Sequence, residues 1–171
     1  PLYSSAASDV YKRQPYDTPM PWYWVPQEEV YNRLVKIDAK DNIIWEWKHK
    51  WLIGFRDIAR AVDERTFIVS PIPDAFGVGH SATLLFVERG TMPGALLLGM
   101  MSSLVFDYTT RQKIGGSHAS ISFVKQFPVL TPEQVSSSGY EQGIVERVAR
   151  LCWFNHDLDG WMEELREECP E

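Results

Sequence analysis

Long apolar runs are missing from this sequence. No stretch reaches the roughly 18 residues needed to cross a bilayer as a helix. The longest candidate, GALLLGMMSSLVFDY at residues 94–108, is interrupted by serines and carries an aspartate. Cysteine is scarce: the chain has 2, Cys152 and Cys169. That is too few for a disulfide framework. A reducing, cytoplasmic compartment is the expectation that follows. Histidine is also scarce, with 4 in the chain, and no two have the spacing of a helical zinc pair. Repeats and low-complexity tracts are absent. The first 14 residues, PLYSSAASDVYKRQ, have neither the basic start nor the apolar core of a signal peptide.

What is present suits one globular domain. The 171 residues are 44% apolar and 13% aromatic, with 7 tryptophans, enough to bury a sizeable core. The net charge of −6 argues weakly against nucleic acid, but its distribution matters more. Residues 48–126 carry nine Lys or Arg against six acids, whereas residues 127–171 carry three against ten. The middle of the chain is basic and the tail acidic.

The ends stand apart. Residues 1–14 have no helical or strand period and closely resemble a translated sequencing-adaptor segment. They are expected to be non-native; the alternative is a disordered native arm. The chain ends on REECPE without a clear capping element and is expected to be truncated there. The organisation read from the sequence is therefore an artefact at 1–14, a main domain at 15–135 and a helical segment at 136–171.

Along the chain, the proline-rich residues 15–26 read as extended. Residues 26–37 read as a helix, with Val30, Leu34 and Ile37 at helical spacing and Glu28 and Glu29 in the first turn. A turn, DAKDN, follows. Strands are expected at 51–60, 64–72 and 82–88, with a loop at 74–81. Residues 95–113 read as one buried helix, Leu97, Met101, Leu104 and Tyr108 sharing a face. Gly115 or Gly116 would supply its left-handed C-cap. SHASISF (117–123) alternates like a strand. Residues 143–155 form an amphipathic helix pattern, and a further helix begins with Asp157 or Asp159 as N-cap. The sum is an α+β fold: a mixed sheet, one buried central helix and a C-terminal helical segment.

Motifs for chemistry are weak. GVGHS (77–81) is a lone Gly-x-Gly followed by a strand, whereas a dinucleotide fingerprint needs a helix there and a third glycine. A hydrolase triad drawn from Ser81, His80, Asp107 or His118 lacks the Gly-x-Ser-x-Gly elbow. The arginines carry more information. Arg56, Arg60 and Arg65 lie on or beside a strand pair, and Arg111 and Lys113 lie at a helix end. A guanidinium can fork onto phosphate oxygens or a guanine edge. It can equally pair with Asp57, Asp63 or Glu64, and cations at a helix C-terminus offset its dipole. From residue chemistry alone, these structural explanations outweigh the functional one.

Several blocks together resemble one family. They are PWYWVPQEEVYNRL (21–34), WLIGFRDIARAVDERTFIVSPIP (51–73), GVGHS (77–81), LLLGMMSSLVFDYTTRQKIGGSHASISFVKQFPVLTPEQ (96–134) and RVARLCWFNHDLDGWMEEL (147–165). They are similar to the target-recognition end of bacterial type II-like restriction–modification enzymes, in which an adenine-specific DNA methyltransferase domain precedes its specificity domain. Similar proteins serve in phage defence. The resemblance covers essentially all of residues 15–168. It implies double-stranded DNA as partner, together with an upstream methyltransferase domain of the same chain and no membrane. Arg56, Arg60, Arg65, Arg111, Lys113 and Lys125 would contact phosphates or bases. Gly115 and Gly116 would allow close backbone approach, and Ser117 and His118 would act as polar readers. Two features depart from the family pattern: MSSL (101–104) lacks the usual asparagine before the serine, and CWFNHDL stands where threonine is common.

The parent protein would use S-adenosylmethionine, but no cofactor and no catalytic residue is expected in this piece. The chain has no Pro-Pro and therefore no Asn/Asp/Ser-Pro-Pro-aromatic stretch to hold the target amine. Two other classes stay open. One is a non-catalytic protein-interaction module, favoured if the arginines of the basic middle all pair internally. The other, more remote, is a small hydrolase dependent on His118.

Overall fold

A computed structural model describes residues 24–153 and 155–169. The expectations for residues 1–14, and for most of 15–26, lie outside the described residues. The fold is α+β.

The most apolar segment forms the centre. Strand β3 (Trp51–Arg56) follows strands β1 (Val35–Ile37) and β2 (Ile43–Glu46) in the chain. It sits between β4 (Val69–Pro73) and β5 (Ala82–Leu85) in a three-stranded sheet of order β4-β3-β5. Trp51, Leu52, Ile53 and Phe55 are at most 1% exposed. Each such side chain contributes roughly 1.5–3 kcal/mol through burial. Pro71 and Pro73 suit β4 because an edge strand need not donate every N–H. Both neighbours of β3 run antiparallel to it, and β1 and β2 form a separate antiparallel hairpin. The expected mixed sheet is thus antiparallel throughout the described residues.

The first helix, α1 (Gln27–Arg33), buries Val30 and stops earlier than its spacing predicts. Val35 and Ile37 pair with β2 instead. The Asp38 carboxylate explains the turn: it accepts from the backbone N–H groups of Lys40 (2.7 Å) and Asn42 (2.9 Å). Such side-chain bonds to the backbone favour a turn, here the one that joins β1 to β2.

The expected single helix over 95–113 is two helices, α2 (Thr91–Met101) and α3 (Leu104–Lys113). Ser103 makes the break. Its backbone is extended, and its hydroxyl accepts from the Phe106 N–H at 3.1 Å, the bond of an N-cap. Helix α2 is the buried one. Gly94 lets it lie against the sheet, because a Cβ there would run into the Trp51 ring. Helix α3 turns a different face inward, burying Phe106, Asp107 and Thr110. Leu104 and Tyr108, expected in the core, are exposed.

The strand expected at 117–123 does not form. His118 makes one isolated bridge to Ile58, and residues Ile121–Val124 form a single helical turn, α4. Ala119 is buried while Ile121 and Phe123 are exposed, so the apolar alternation does not define a sheet face. Helix α5 (Pro132–Ser138) starts with a reciprocal capping box between Thr131 and Gln134. The other strands are shorter than their patterns suggest, ending at Arg56 and Leu85 and beginning at Val69.

At the C-terminal end, α6 (Glu141–Cys152) packs on α2 and is followed by a 3-10 turn (His156–Leu158) and helix α7 (Asp159–Glu168). Neither Asp157 nor Asp159 caps α7, whose N-cap position is Leu158. Asp159 instead accepts from the Trp153 indole at 2.9 Å. Val145, Val148, Trp161 and Leu165 join Trp51, Leu52 and Leu98 in one cluster. A second cluster gathers Phe55, Phe67, Phe106 and Phe127 with Ala59, Met101, Ile114 and Ala119. Phe106 meets Phe67 and Phe127 edge-on at 5.3 and 5.6 Å. These edge-to-face pairs add to area burial. This second cluster is the floor on which the basic surface rests.

Candidate nucleic-acid interface

Between β3 and β4 the chain loops through residues 57–68 and brings charged side chains against α3. Asp63 is the first organising group. One of its oxygens pairs with Arg60 at 2.9 Å and the other with Arg56 at 3.4 Å. Asp107 is the second. It accepts from the Phe67 N–H at 2.8 Å and from Arg111 at 3.2 Å, and Arg65 stands 3.6 Å away. Arg111 also donates to the backbone carbonyls of Asp63 and Glu64, both at 2.9 Å. Arg65 donates to the Ser102 carbonyl at 2.6 Å. The four arginines therefore form one connected cluster across the loop and α3.

Stoichiometry decides its electrostatic character. Four guanidiniums contact two carboxylates, and Asp57 and Glu64 in the same loop bring the acids to four, so the formal charges of the arginines and the neighbouring acids balance. Isolated surface pairs of this kind contribute roughly 0–1 kcal/mol to stability. Their main effect here is to hold the guanidinium planes in place. The Arg60 side chain is 62% exposed and that of Arg56 40%, although the Arg56 Nε is buried without a hydrogen-bond partner among the described residues.

The remaining expected contacts are held by other partners. The His118 ring, at its Nδ1, is 2.6 Å from the Asp57 carboxylate. The Ser117 carbonyl accepts from Ala59, and Ala119 N–H donates to the Asp57 carbonyl, fixing the segment to the loop after β3. Lys113 donates to the Gln126 carbonyl at 3.1 Å. Lys125 follows the turn of α4 and is exposed. Gly115 and Gly116 are exposed too, but neither has a positive φ; among the described glycines only Gly90 and Gly139 do. The left-handed cap expected of them is absent because Ile114, buried and extended, ends the helix. A Cβ at either glycine would meet nothing within 4 Å, so the backbone there is open to solvent.

The structure thus joins Arg56, Arg60, Arg65 and Arg111 directly. Ser117 and His118 attach to the same loop through Asp57 and Ala59. The partners differ from those the sequence suggests. Asp63 serves two arginines, Asp57 takes the histidine, and Glu64 contributes its carbonyl. Asp107 was missed as an organiser, although its i, i+4 spacing to Arg111 is a readable signal.

Other chemistries find less support. Asp107 is engaged by arginines and His118 by Asp57, so the hydrolase constellation is not assembled. No group of three metal-ligating side chains occurs among the described residues. Gly77 and Gly79 lie in a loop that leads into β5, not into a helix. That order does not fit the dinucleotide fingerprint, which needs a helix after its glycines. No helix among the described residues is long and apolar enough to cross a membrane. Comparison of the chain with protein-family models, with curated proteins and with solved structures finds no match.

Proposed function

We propose that this chain recognises double-stranded DNA, as the specificity part of an adenine-specific DNA methyltransferase or fused restriction–modification enzyme. The observation that carries this reading is the connected four-arginine cluster, in which the Arg60 and Arg56 side chains are 62% and 40% exposed. Arginine suits phosphate because its planar fork matches the oxygens. Preset guanidiniums lose less side-chain freedom on binding than free ones. Arg56, Arg60, Arg65 and Arg111, with Lys113 and Lys125, are the phosphate or base contacts in this proposal, and Ser117 and His118 the polar readers. S-adenosylmethionine would be held by the methyltransferase domain of the same protein, in the cytoplasm.

The test is binding to a labelled duplex at several salt concentrations. Loss of one phosphate contact lowers the slope of log affinity against log salt by about 0.9. Arg60→Ala is the cleanest variant, since Arg60 pairs with Asp63 alone through its side chain. Arg111→Ala should weaken binding further. Slopes and affinities unchanged in both variants would sink the assignment.

A second reading has its own observation. All four arginines of the cluster pair internally, the pattern that favours a protein-interaction module. Exposed Leu104, Val105 and Tyr108 would then face a protein partner. A change of oligomeric state or partner binding on Tyr108→Ala, with no DNA affinity in any variant, would establish it.

A further inference from the structure

His118 is held by backbone and side chain alike. On one side of it the Ser117 carbonyl accepts from the Ala59 N–H at 3.0 Å, and on the other the Ala119 N–H donates to the Asp57 carbonyl at 2.6 Å. Between these bonds His118 pairs with Ile58 in an antiparallel bridge. Ala59 and Ala119 are fully buried in the second cluster, so the chain is fixed on both flanks of the histidine. The ring is fixed as well, with Nδ1 2.6 Å from an Asp57 carboxylate oxygen. An ionised carboxylate only accepts hydrogen bonds, so the proton of this pair lies on Nδ1. In the uncharged ring Nε2 then carries a lone pair and accepts. Nε2 has no partner among the described residues, and the side chain is 60% exposed.

We propose that Asp57 positions His118 to read an exocyclic amino group, adenine N6 or cytosine N4, in the major groove. The proposal rests on the DNA reading above and assigns one contact within it. Polarity selects the ligand. The sugar and phosphate oxygens within duplex DNA only accept, so an accepting Nε2 finds no partner on the backbone. In the major groove the donors are the amino groups of adenine and cytosine, whereas guanine and thymine present acceptors. The basic contacts cannot read such a group. Arg56, Arg60, Arg65, Arg111, Lys113 and Lys125 carry donors only, which suits phosphate or guanine. The Ser117 hydroxyl both donates and accepts and so does not discriminate. Asp57 also begins the loop that carries Arg60 and Arg65, which gives the reader and these arginines one support.

The experiment is run at about pH 8.5, where an ordinary imidazole is uncharged. A randomised duplex pool is first enriched on the unsubstituted chain. Each adenine and cytosine of the enriched site is then replaced by purine or 2-pyrimidinone, which lack the amino group. One replacement should weaken binding to the unsubstituted chain by roughly two- to tenfold, the worth of a single hydrogen bond. His118→Ala should be insensitive to that same replacement. Its salt slope should match that of the unsubstituted chain, because no phosphate contact is lost. Asp57→Ala should share the insensitivity, whereas Asp57→Asn, whose carbonyl still accepts from Nδ1, should keep the discrimination. A merely structural role for Asp57 would not confine the effect to one base. Circular dichroism confirms the fold of each variant. A pool that enriches no sequence, replacements that cost the same with and without His118, full discrimination in Asp57→Ala, or a salt slope lowered by about 0.9 in His118→Ala overturns the amine reader while leaving DNA recognition in place. Failure of the unsubstituted chain to bind any duplex overturns both.

Discussion

Replacing Asp107 with asparagine probes the organisation of the basic surface. The side chain is 7% exposed, and three groups converge on it: the Phe67 N–H at 2.8 Å, Arg111 at 3.2 Å and Arg65 at 3.6 Å. A hydrogen bond to a charged group contributes roughly 1.5–3 kcal/mol. Asparagine keeps one carbonyl oxygen for Phe67, but its amide turns two donor hydrogens toward Arg111. The two guanidiniums are about one-third exposed, at 33% and 32%, so water replaces part of what they lose. The expected destabilisation is about 2–3 kcal/mol. In a domain of this size that lowers Tm by roughly 4–12 °C. Urea denaturation at neutral pH measures it. An Arg111→Ala background should shrink the effect, because the frustrated donor is gone. A loss below about 0.5 kcal/mol, or full additivity in the double variant, would refute the view that Asp107 organises the cluster.

Two further outcomes are expected. Burial pushes the Glu164 carboxyl up, but hydrogen bonds from the Lys50 N–H, Thr91, His49 and Trp51 outweigh it, so its pKa is lowered overall from 4.5. A carboxylate whose folded pKa is depressed contributes stability that is present above its unfolded pKa and lost as pH falls through the folded one. Glu164→Gln should therefore destabilise the protein at pH 7 and flatten the decline in Tm below about pH 4.5; an unchanged acid limb would count against a stabilising role for these hydrogen bonds. Burial raises the Cys152 thiol to about 11 from 9.0, so at pH 8 its thiolate is about 100-fold scarcer than that of an unperturbed thiol. Disulfide-exchange labelling of the native chain should be slow at Cys152 and fast in urea, with Cys152→Ser identifying the signal.

Much of the fold was legible because strong local signals agreed with the tertiary outcome. The run WLIGF could only be buried, and it forms the central strand. Pro26 with Glu28 and Glu29 marked the start of α1. The failures share a cause, which is that polar side chains redirected the backbone. Ser103 divided the predicted helix, Asp38 shaped the turn between β1 and β2, and Asp107 took the Phe67 N–H. Apolar spacing contains no trace of such bonds. Gly115 and Gly116 were read as a left-handed cap, but burial of Ile114 ended the helix in an extended conformation. As for the site, residue type marked the arginines, but their joint attachment to Asp63 and Asp107 depends on contacts up to 48 positions apart in the chain. Periodicity cannot report those. A continuous helix would put Tyr108 in the core; the N-cap at Ser103 starts a separate helix that turns it outward.

The most direct measurement is the affinity of the unsubstituted chain for duplex DNA between low and physiological salt, repeated with Arg60→Ala and Arg111→Ala. DNA recognition through the arginine cluster predicts an affinity that falls linearly on a log–log plot, with a slope reduced by about 0.9 for each phosphate contact removed. Absence of binding at low salt, or slopes identical in all three proteins, would contradict it.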